Sequence, residues 1–492
     1  MAEIPETQTV LILHAAKQPY EVAERYPVPE IQDEREVLVK TESIGLNPID
    51  WKAPDFNFAI PSLPYISGRE LVGRVVRRSG NSQSRLKNGD QVLVISTDYR
   101  DLRKAAYQEY VVSADFNAVR IPPNVSSRAG ATLGVAFVAA VLSLGVCMGV
   151  DFSRVLDGPD LRSLARSIPA ESLPQDIRDE CLSGIRQHER AVAGDWVVVW
   201  GGSSTSANIA VQLARLAGLR VVTVVDKLRH GLRLSNHTVL RPDLLVDSHD
   251  PARAVDIIRA NVGEHLRFAL DTSGRESAGW LLRALAKDDK TVAAPPSPPD
   301  TPSHASPVLK HLVGLTGLPK EQAPEGVKYH TVPIKLFHEV PAVGEALSLW
   351  LERLLESGLV SPPEVLGVEK GFEGINKGLD RMRRGEIRGG RMVVSLDDTQ
   401  AGFVRDPTAA PALVDSPIAE RSEADSSLSS SPEFTAAEPE RSRRASLWQS
   451  ASSADAVPRH VPEGGISAEP ETTAGFLWQP KQADIVAEKP LS

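Results

Sequence analysis

The stretch 196–217 constrains this chain most: an uninterrupted apolar strand, a loop of small residues, then a helix. Trp196-Val197-Val198-Val199-Trp200 shows no apolar–polar alternation, as expected of a strand covered on both faces. Gly201-Gly202-Ser203-Ser204-Thr205-Ser206 follows, and apolar residues recur at helical spacing from Ala207 to Ala217. Gly202-x-Ser204-x-x-Ala207 is a degenerate G-x-G-x-x-G/A. At such a turn the backbone N–H groups and the helix dipole hold a pyrophosphate, and small residues let the backbone approach it. A purely structural strand-to-helix turn also favours Gly and Ser, so the context decides. A second buried strand, Arg220-Val221-Val222-Thr223-Val224-Val225, ends at Asp226, about twenty residues on. Leu244–Asp247, a helical segment around Ala254–Asn261 and Arg267–Asp271 continue the alternation. The expectation is a doubly wound parallel sheet that binds a dinucleotide.

The rest of the chain divides around this block. Residues 1–128 are β-rich, with short strands at Val37–Lys40, Gly73–Val76 and Gln91–Ile95 broken by Gly, Asn and Asp turns, and read as a small barrel. Residues 129–330 carry the parallel sheet, with a polar insertion at 151–193 and a Pro-rich loop at 287–306. Residues 331–398 return to the first domain through helices at Val343–Glu356 and Gly374–Arg384 and a closing strand at Arg391–Leu396. From 399 to 492 the chain is rich in Ser, Ala, Pro and Glu and is expected to be a disordered tail. It contains Arg443-Arg444-Ala445-Ser446, which fits a basophilic kinase site, and the echo Leu447-Trp448-Gln449 and Leu477-Trp478-Gln479.

Composition removes several function classes. A net charge of -9 with no Lys/Arg stripe argues against a nucleic-acid surface. Two cysteines, Cys147 and Cys181, exclude a disulfide framework and a four-cysteine zinc site, and point to a reducing, cytoplasmic setting. The acidic, polar N-terminus lacks the pattern of a signal peptide. Ala129–Val150 is uncharged and long enough to span a bilayer, but without basic or aromatic flanks it reads as a buried helix and not as a membrane anchor.

Charges at the second strand end conflict. Asp226 suits a ribose 2'-hydroxyl and NADH, whereas Lys227, Arg229 and His230 suit a 2'-phosphate and NADPH. The expectation leans to NADPH with NADH open; a solvated charged turn is the plain alternative. Asp271 and Thr272 end a strand at the carboxyl edge of the sheet, where ligands bind, and are read either as cofactor contacts or as a structural cap.

Four segments, in order, carry a resemblance. Gly45-Leu46-Asn47-Pro48-Ile49-Asp50-Trp51-Lys52 resembles the N-P-x-D-x-K segment of quinone-reductase-like and enoyl-reductase-like members of the medium-chain dehydrogenase/reductase superfamily. Pro64–Val75 is similar to that superfamily's P-x-x-x-G-x-E/D-x-x-G-x-V segment. Trp200-Gly201-Gly202-Ser203 resembles the loop of stand-alone trans-acting enoyl reductases of fungal polyketide pathways, and Gly385–Val394, with Gly389 at the cofactor, is similar to the terminal strand region. The resemblance implies a Rossmann domain (α/β) joined to a GroES-like β-barrel catalytic domain. It also implies departures. Asn47 and Arg69 stand where zinc-dependent relatives place Cys and His, so no zinc is expected, and Val138 stands where a Thr often meets the nicotinamide.

The activity implied is zinc-independent hydride transfer from NADPH to an activated C=C or a quinone. The substrate is a small molecule or a thioester, with a carrier protein or synthase as a partner and a monomeric or homodimeric enzyme. Lys52 is the candidate catalytic residue, for an enolate oxygen, a proton or a cofactor phosphate, against the alternative of an ordinary surface lysine. Asn47 and Asp50 are expected to shape their loop and meet the cofactor ribose or amide. The cofactor set is completed by Gly201, Gly202, Ser203, Ser204 and Thr205. The competing readings are a non-catalytic NADPH-binding sensor, an alcohol or aldehyde oxidoreductase, and an interaction protein driven by its tail.

Overall fold

Two strand chemistries in the sequence make two kinds of sheet. The computed structural model describes residues 3–80, 83–286 and 309–396. The Pro-rich loop at 287–306 and the tail at 399–492 lie outside the described residues.

The N-terminal strands are β1 (Thr7–Leu13), β2 (Glu21–Pro27), β3 (Glu36–Gly45), β4 (Tyr65–Ile66), β5 (Glu70–Arg78), β6 (Gln91–Ile95), β7 (Tyr110–Ala114) and β8 (Ala118–Arg120). β2-β1-β4 form a small antiparallel sheet, and β3 sits between β5 and the late strand β16 (Arg391–Ser395), with β7 also paired to it. β15 (Val365–Lys370) adds to β16 in parallel. The closing segment of the chain therefore completes the N-terminal sheet.

The second sheet holds β9 (Trp196–Trp200), β10 (Arg220–Val225), β11 (Leu244–Asp247), β12 (Leu266–Asp271), β13 (Lys310–Gly314) and β14 (Val327–His330). Every pair is parallel and the order is β11-β10-β9-β12-β13-β14. Strand order reverses between β9 and β12, the switch point where an open sheet of this kind leaves a crevice at its carboxyl ends. Alternate residues of β9 enter two apolar clusters. Val197 and Val199 join one, and Trp196, Val198 and Trp200 join the other, which is why the strand carries no polar position.

Helix α1 (Pro48–Phe56) follows β3. α2 (Ser127–Gly130) and α3 (Gly134–Leu142) run into a π-turn at Ser143–Cys147. Ser127–Cys147 is the one helical stretch among the described residues long and apolar enough to cross a membrane, and 89% of its apolar window is buried inside the protein. α4 (Leu161–Ser167) and α5 (Gln175–Ser183) form the 151–193 segment. α6 (Thr205–Leu216), α7 (Lys227–Asn236), α8 (Pro251–Val262) and α9 (Arg275–Leu285) alternate with the parallel strands, and α10 (Lys335–His338), α11 (Pro341–Glu356) and α12 (Glu373–Arg383) lead back to the first sheet.

The 151–193 segment is polar in sequence yet packs as core. Arg162 is 1% exposed. Its guanidinium donates to the carbonyls of Cys181 (3.0 Å) and Ile185 (2.7 Å), satisfying orphan acceptors at the end of α5. Trp350 of α11 is buried against Phe137 and Phe152, and its indole N–H donates to Val155 O at 3.0 Å.

Candidate functional site

The glycine loop sits at the switch point. Gly201 has φ +82°, the left-handed region that favours glycine. A Cβ there would fall 2.4 Å from Thr272 Oγ1 and 2.2 Å from Ser273 Oγ, so the β12 end crowds directly onto this loop. Thr272 Oγ1 lies 3.0 Å from each of Trp200 O, Gly201 O and Ser204 Oγ. Ser204 caps α6, accepting from the Ala207 N–H at 3.0 Å. The N–H groups of Gly201 and Gly202 both donate to Val224 O at 3.1 Å. Among the described residues this leaves the N–H groups of Ser203, Thr205 and Ser206 without a protein acceptor at the positive end of a twelve-residue helix, which is what an anion needs.

Beside the reading of Gly202 as small for a pyrophosphate, the structure gives it a second reason to be small: a Cβ there would stand 2.0 Å from Thr223 Cγ2. Gly202 is buried against β10, and its smallness is a packing requirement between loop and sheet.

Asp226 caps α7 through the Arg229 N–H (3.0 Å), and the Lys227 N–H donates to Asp247 Oδ1 at 3.1 Å. Lys227 and Arg229 are exposed, with no ion pair to either side chain among the described residues. His249 stands between two carboxylates, 3.8 Å from Asp226 and 3.0 Å from Asp247, and its pKa is raised by them. Asp271 is wholly buried; its Oδ1 accepts from the N–H groups of Ser273 (3.1 Å) and Gly274 (2.7 Å), the cap alternative, and burial pushes its pKa up to about 6. Gly389 (φ +91°) brings the C-terminal loop onto α7, where a Cβ would be 2.9 Å from the His230 ring.

The residues of the first sheet form a separate buried network. Asn47 is 2% exposed. It donates through Nδ2 to Glu70 Oε1 (2.9 Å) and accepts at Oδ1 from Arg391 (2.7 Å), while Arg391 lies 3.2 Å from the same Glu70 oxygen. Glu70 Oε2 accepts the Val135 N–H at 2.9 Å. Both ends of the Asn47 amide are thus hydrogen-bonded to Glu70 and Arg391. Asp50 accepts the Asn47 N–H at 2.8 Å; burial pushes its pKa up to about 6, and the Arg69 guanidinium pulls it the other way. Arg69 lies over the Tyr99 ring at 5.4 Å and beside Tyr65. Lys52 is half-buried, its Nζ 5.6 Å from the Trp51 ring centre, and burial lowers its pKa. No hydrogen bond or ion pair joins Lys52 to the glycine loop among the described residues.

Comparison with known proteins places this geometry. The model of the alcohol dehydrogenase GroES-like domain matches residues 33–123. The trans-enoyl reductase caaB of Aspergillus niger is 27% identical over 411 residues, covering 80% of this chain and 98% of that protein. Among solved structures, mycobacterial Rv1454c complexed with NADPH superposes with a TM-score of 0.57 at 16% identity, covering 79% of this chain and 100% of that one. A quinone oxidoreductase of Pseudomonas syringae gives 0.55 at 15% identity, with 79% and 100% covered. The chain carries an alcohol dehydrogenase GroES-like domain and has the fold of the medium-chain dehydrogenases/reductases, with a parallel nucleotide-type sheet and a GroES-like antiparallel sheet. Asn47 and Arg69, read from the sequence as standing in place of zinc ligands, are an amide bonded at both ends and a buried guanidinium. Val138 is buried in α3 and offers no hydrogen bond.

Several participants had no separate signal in the sequence. Glu70 and Arg391 were visible inside the two quoted motifs, but their pairing spans the whole chain. Ser206 lay in the glycine loop without being singled out. Asp247 ends β11 and His249 follows it, and the parallel register Val225↔Asp247 brings them to Asp226.

Proposed function

We propose that this chain is a nicotinamide-dependent oxidoreductase that reduces an activated C=C, or a quinone, without zinc. The observation that carries the reading is the set of N–H groups at Ser203, Thr205 and Ser206, without an acceptor among the described residues, at the switch point of a parallel sheet. These groups fit a cofactor pyrophosphate. The trans-enoyl reductases and the quinone oxidoreductase among the relatives support the substrate class.

The bound nicotinamide supplies the hydride; the chain supplies position and electrostatics. Ser203, Thr205 and Ser206 would hold the phosphates, and Thr272 and Ser204 fix the loop that presents them. Lys227 and Arg229 face solvent, without an ion pair among the described residues, and select NADPH over NADH; Asp226, committed to the α7 cap and neighbouring His249, sits beside them. Lys52 stabilises the negative charge that develops on the substrate oxygen and supplies a proton, a role eased by its lowered pKa. Zinc independence is supported by Asn47 and Arg69, whose amide and guanidinium are held by Glu70, Arg391, Tyr65 and Tyr99 in place of a metal. The N-terminal unit of residues 1–128, completed by 331–398, carries the catalytic side, and residues 129–330 carry the cofactor.

The test is NADPH oxidation against a panel of enones, enoyl thioesters and quinones. Turnover with at least one class, unchanged by chelator, is expected. Tight NADPH binding with no turnover on any class would favour a non-catalytic binding protein instead.

A further inference from the structure

Away from the redox site, three side chains from three distant parts of the chain converge in the interior. Cys147 ends the π-turn after α3, Glu180 lies on α5 in the 151–193 segment, and His330 ends β14. One ligand atom from each, the thiol sulfur, a carboxylate oxygen and an imidazole nitrogen, lie within 4.8 Å of one another. Cys147 and His330 are wholly buried, and the Glu180 side chain is 16% exposed.

We propose that Cys147, Glu180 and His330 bind one zinc ion that clips the 151–193 segment to the edge of the parallel sheet. Thiolate, imidazole and carboxylate are the donor set of zinc, with expected bonds of about 2.3, 2.0–2.1 and 2.0–2.2 Å. The charges close: one thiolate and one carboxylate neutralise the ion, which an interior site requires. The ring of His330 is already oriented. Its Nδ1 faces the Glu180 carboxylate and carries the proton there; when the ion takes Nδ1 the imidazole proton moves to Nε2, where Nδ1 of the wholly buried His311, 2.9 Å away, accepts it. His330 Nδ1 and Glu180 Oε1 are 2.7 Å apart. Tetrahedral zinc sets its ligand atoms about 3.3 Å apart, so they must open by roughly half an ångström, within reach of a side-chain rotation. Binding exchanges the Cys147 proton for the ion, one proton released per metal. None of the three residues belongs to the proposed redox site, so the inference stands or falls apart from the proposed activity.

The experiment uses the full chain, stripped with chelator and titrated with Co²⁺ and then Zn²⁺. The expected result is one equivalent bound, a near-ultraviolet thiolate-to-cobalt band, tetrahedral visible bands and release of about one proton, all reversed by Zn²⁺. Cys147→Ser removes the thiolate band and Cys181→Ser keeps it. Zn²⁺ raises the melting temperature of the wild type and leaves that of His330→Gln unchanged. A folded wild-type chain that shows no thiolate band with equimolar Co²⁺ overturns the proposal without recourse to any variant. Binding that survives both Cys147→Ser and His330→Gln overturns it as well.

Discussion

Gly202→Ala tests how the glycine loop is held. The added Cβ would sit 2.0 Å from Thr223 Cγ2, against the 3.4 Å or more of an ordinary contact. Thr223 is 1% exposed in β10, paired on one side to β9 and on the other to β11, and cannot retreat. Overpacking of this kind costs about 1–3 kcal/mol. Thr223→Ser deletes the obstructing methyl, leaving a small cavity worth about 1 kcal/mol. In the double variant the alanine methyl occupies the vacated space, so the two changes together should cost less than their sum by about 1–3 kcal/mol, well outside the few tenths expected of independent sites. Urea unfolding followed by tryptophan fluorescence measures the cycle, and cofactor fluorescence measures NADPH affinity on the same four proteins. The double variant should bind NADPH within about threefold of wild type, because the donors at Ser203, Thr205 and Ser206 are untouched. Additive destabilisation would refute the packing assignment. A stable double variant that no longer binds NADPH would return Gly202 to the role of admitting the phosphate.

Three further outcomes are expected. Lys227→Ala with Arg229→Ala should raise KM for NADPH by ten- to a hundredfold, at roughly 1.5–3 kcal/mol per lost charge-assisted hydrogen bond, and leave NADH nearly unchanged; equal effects on both cofactors in steady-state kinetics would contradict the 2'-phosphate assignment. Lys52→Ala should lower kcat by about a hundredfold or more with NADPH affinity held within threefold; no change in either quantity makes Lys52 an ordinary surface lysine. Asp271 has its pKa raised by burial from 3.8 to about 6, so the folded state holds its proton more tightly than the unfolded state. Stability should therefore fall as pH rises from about 4 to about 6, by on the order of 3 kcal/mol from this group. Asp271→Asn should flatten that part of the urea-unfolding profile, and an unchanged slope would show that Asp271 is ionised throughout.

What could be read from the sequence depended on how local the physics is. β9 declared itself because both of its faces are buried, so five adjacent apolar residues admit one placement in an α/β sheet. The glycine loop declared itself because small residues at a strand-to-helix turn are a local demand. The neighbours of those residues were not legible. Gly202 and Thr223 meet only through the register of β9 with β10. Asn47 and Arg391 are 344 residues apart in the chain, so the fate of the amide could not be read from its motif. The 151–193 segment read as a polar insertion because its anchors are polar: Arg162 bonds to main-chain carbonyls, and Glu180 meets His330 from 150 residues away. A pattern of apolar periodicity carries no signal for such contacts.

Hydride transfer itself is tested most directly with NADPH deuterated stereospecifically at C4, using whichever acceptor class the panel identifies. Transfer from one face of a nicotinamide held at the switch point predicts that one epimer yields unlabelled NADP⁺, with the deuterium on the β-carbon of a reduced alkene, while the other epimer retains its label. Acceptor reduction with the label kept or scrambled in both epimers, or NADPH that binds and is never oxidised, would contradict it.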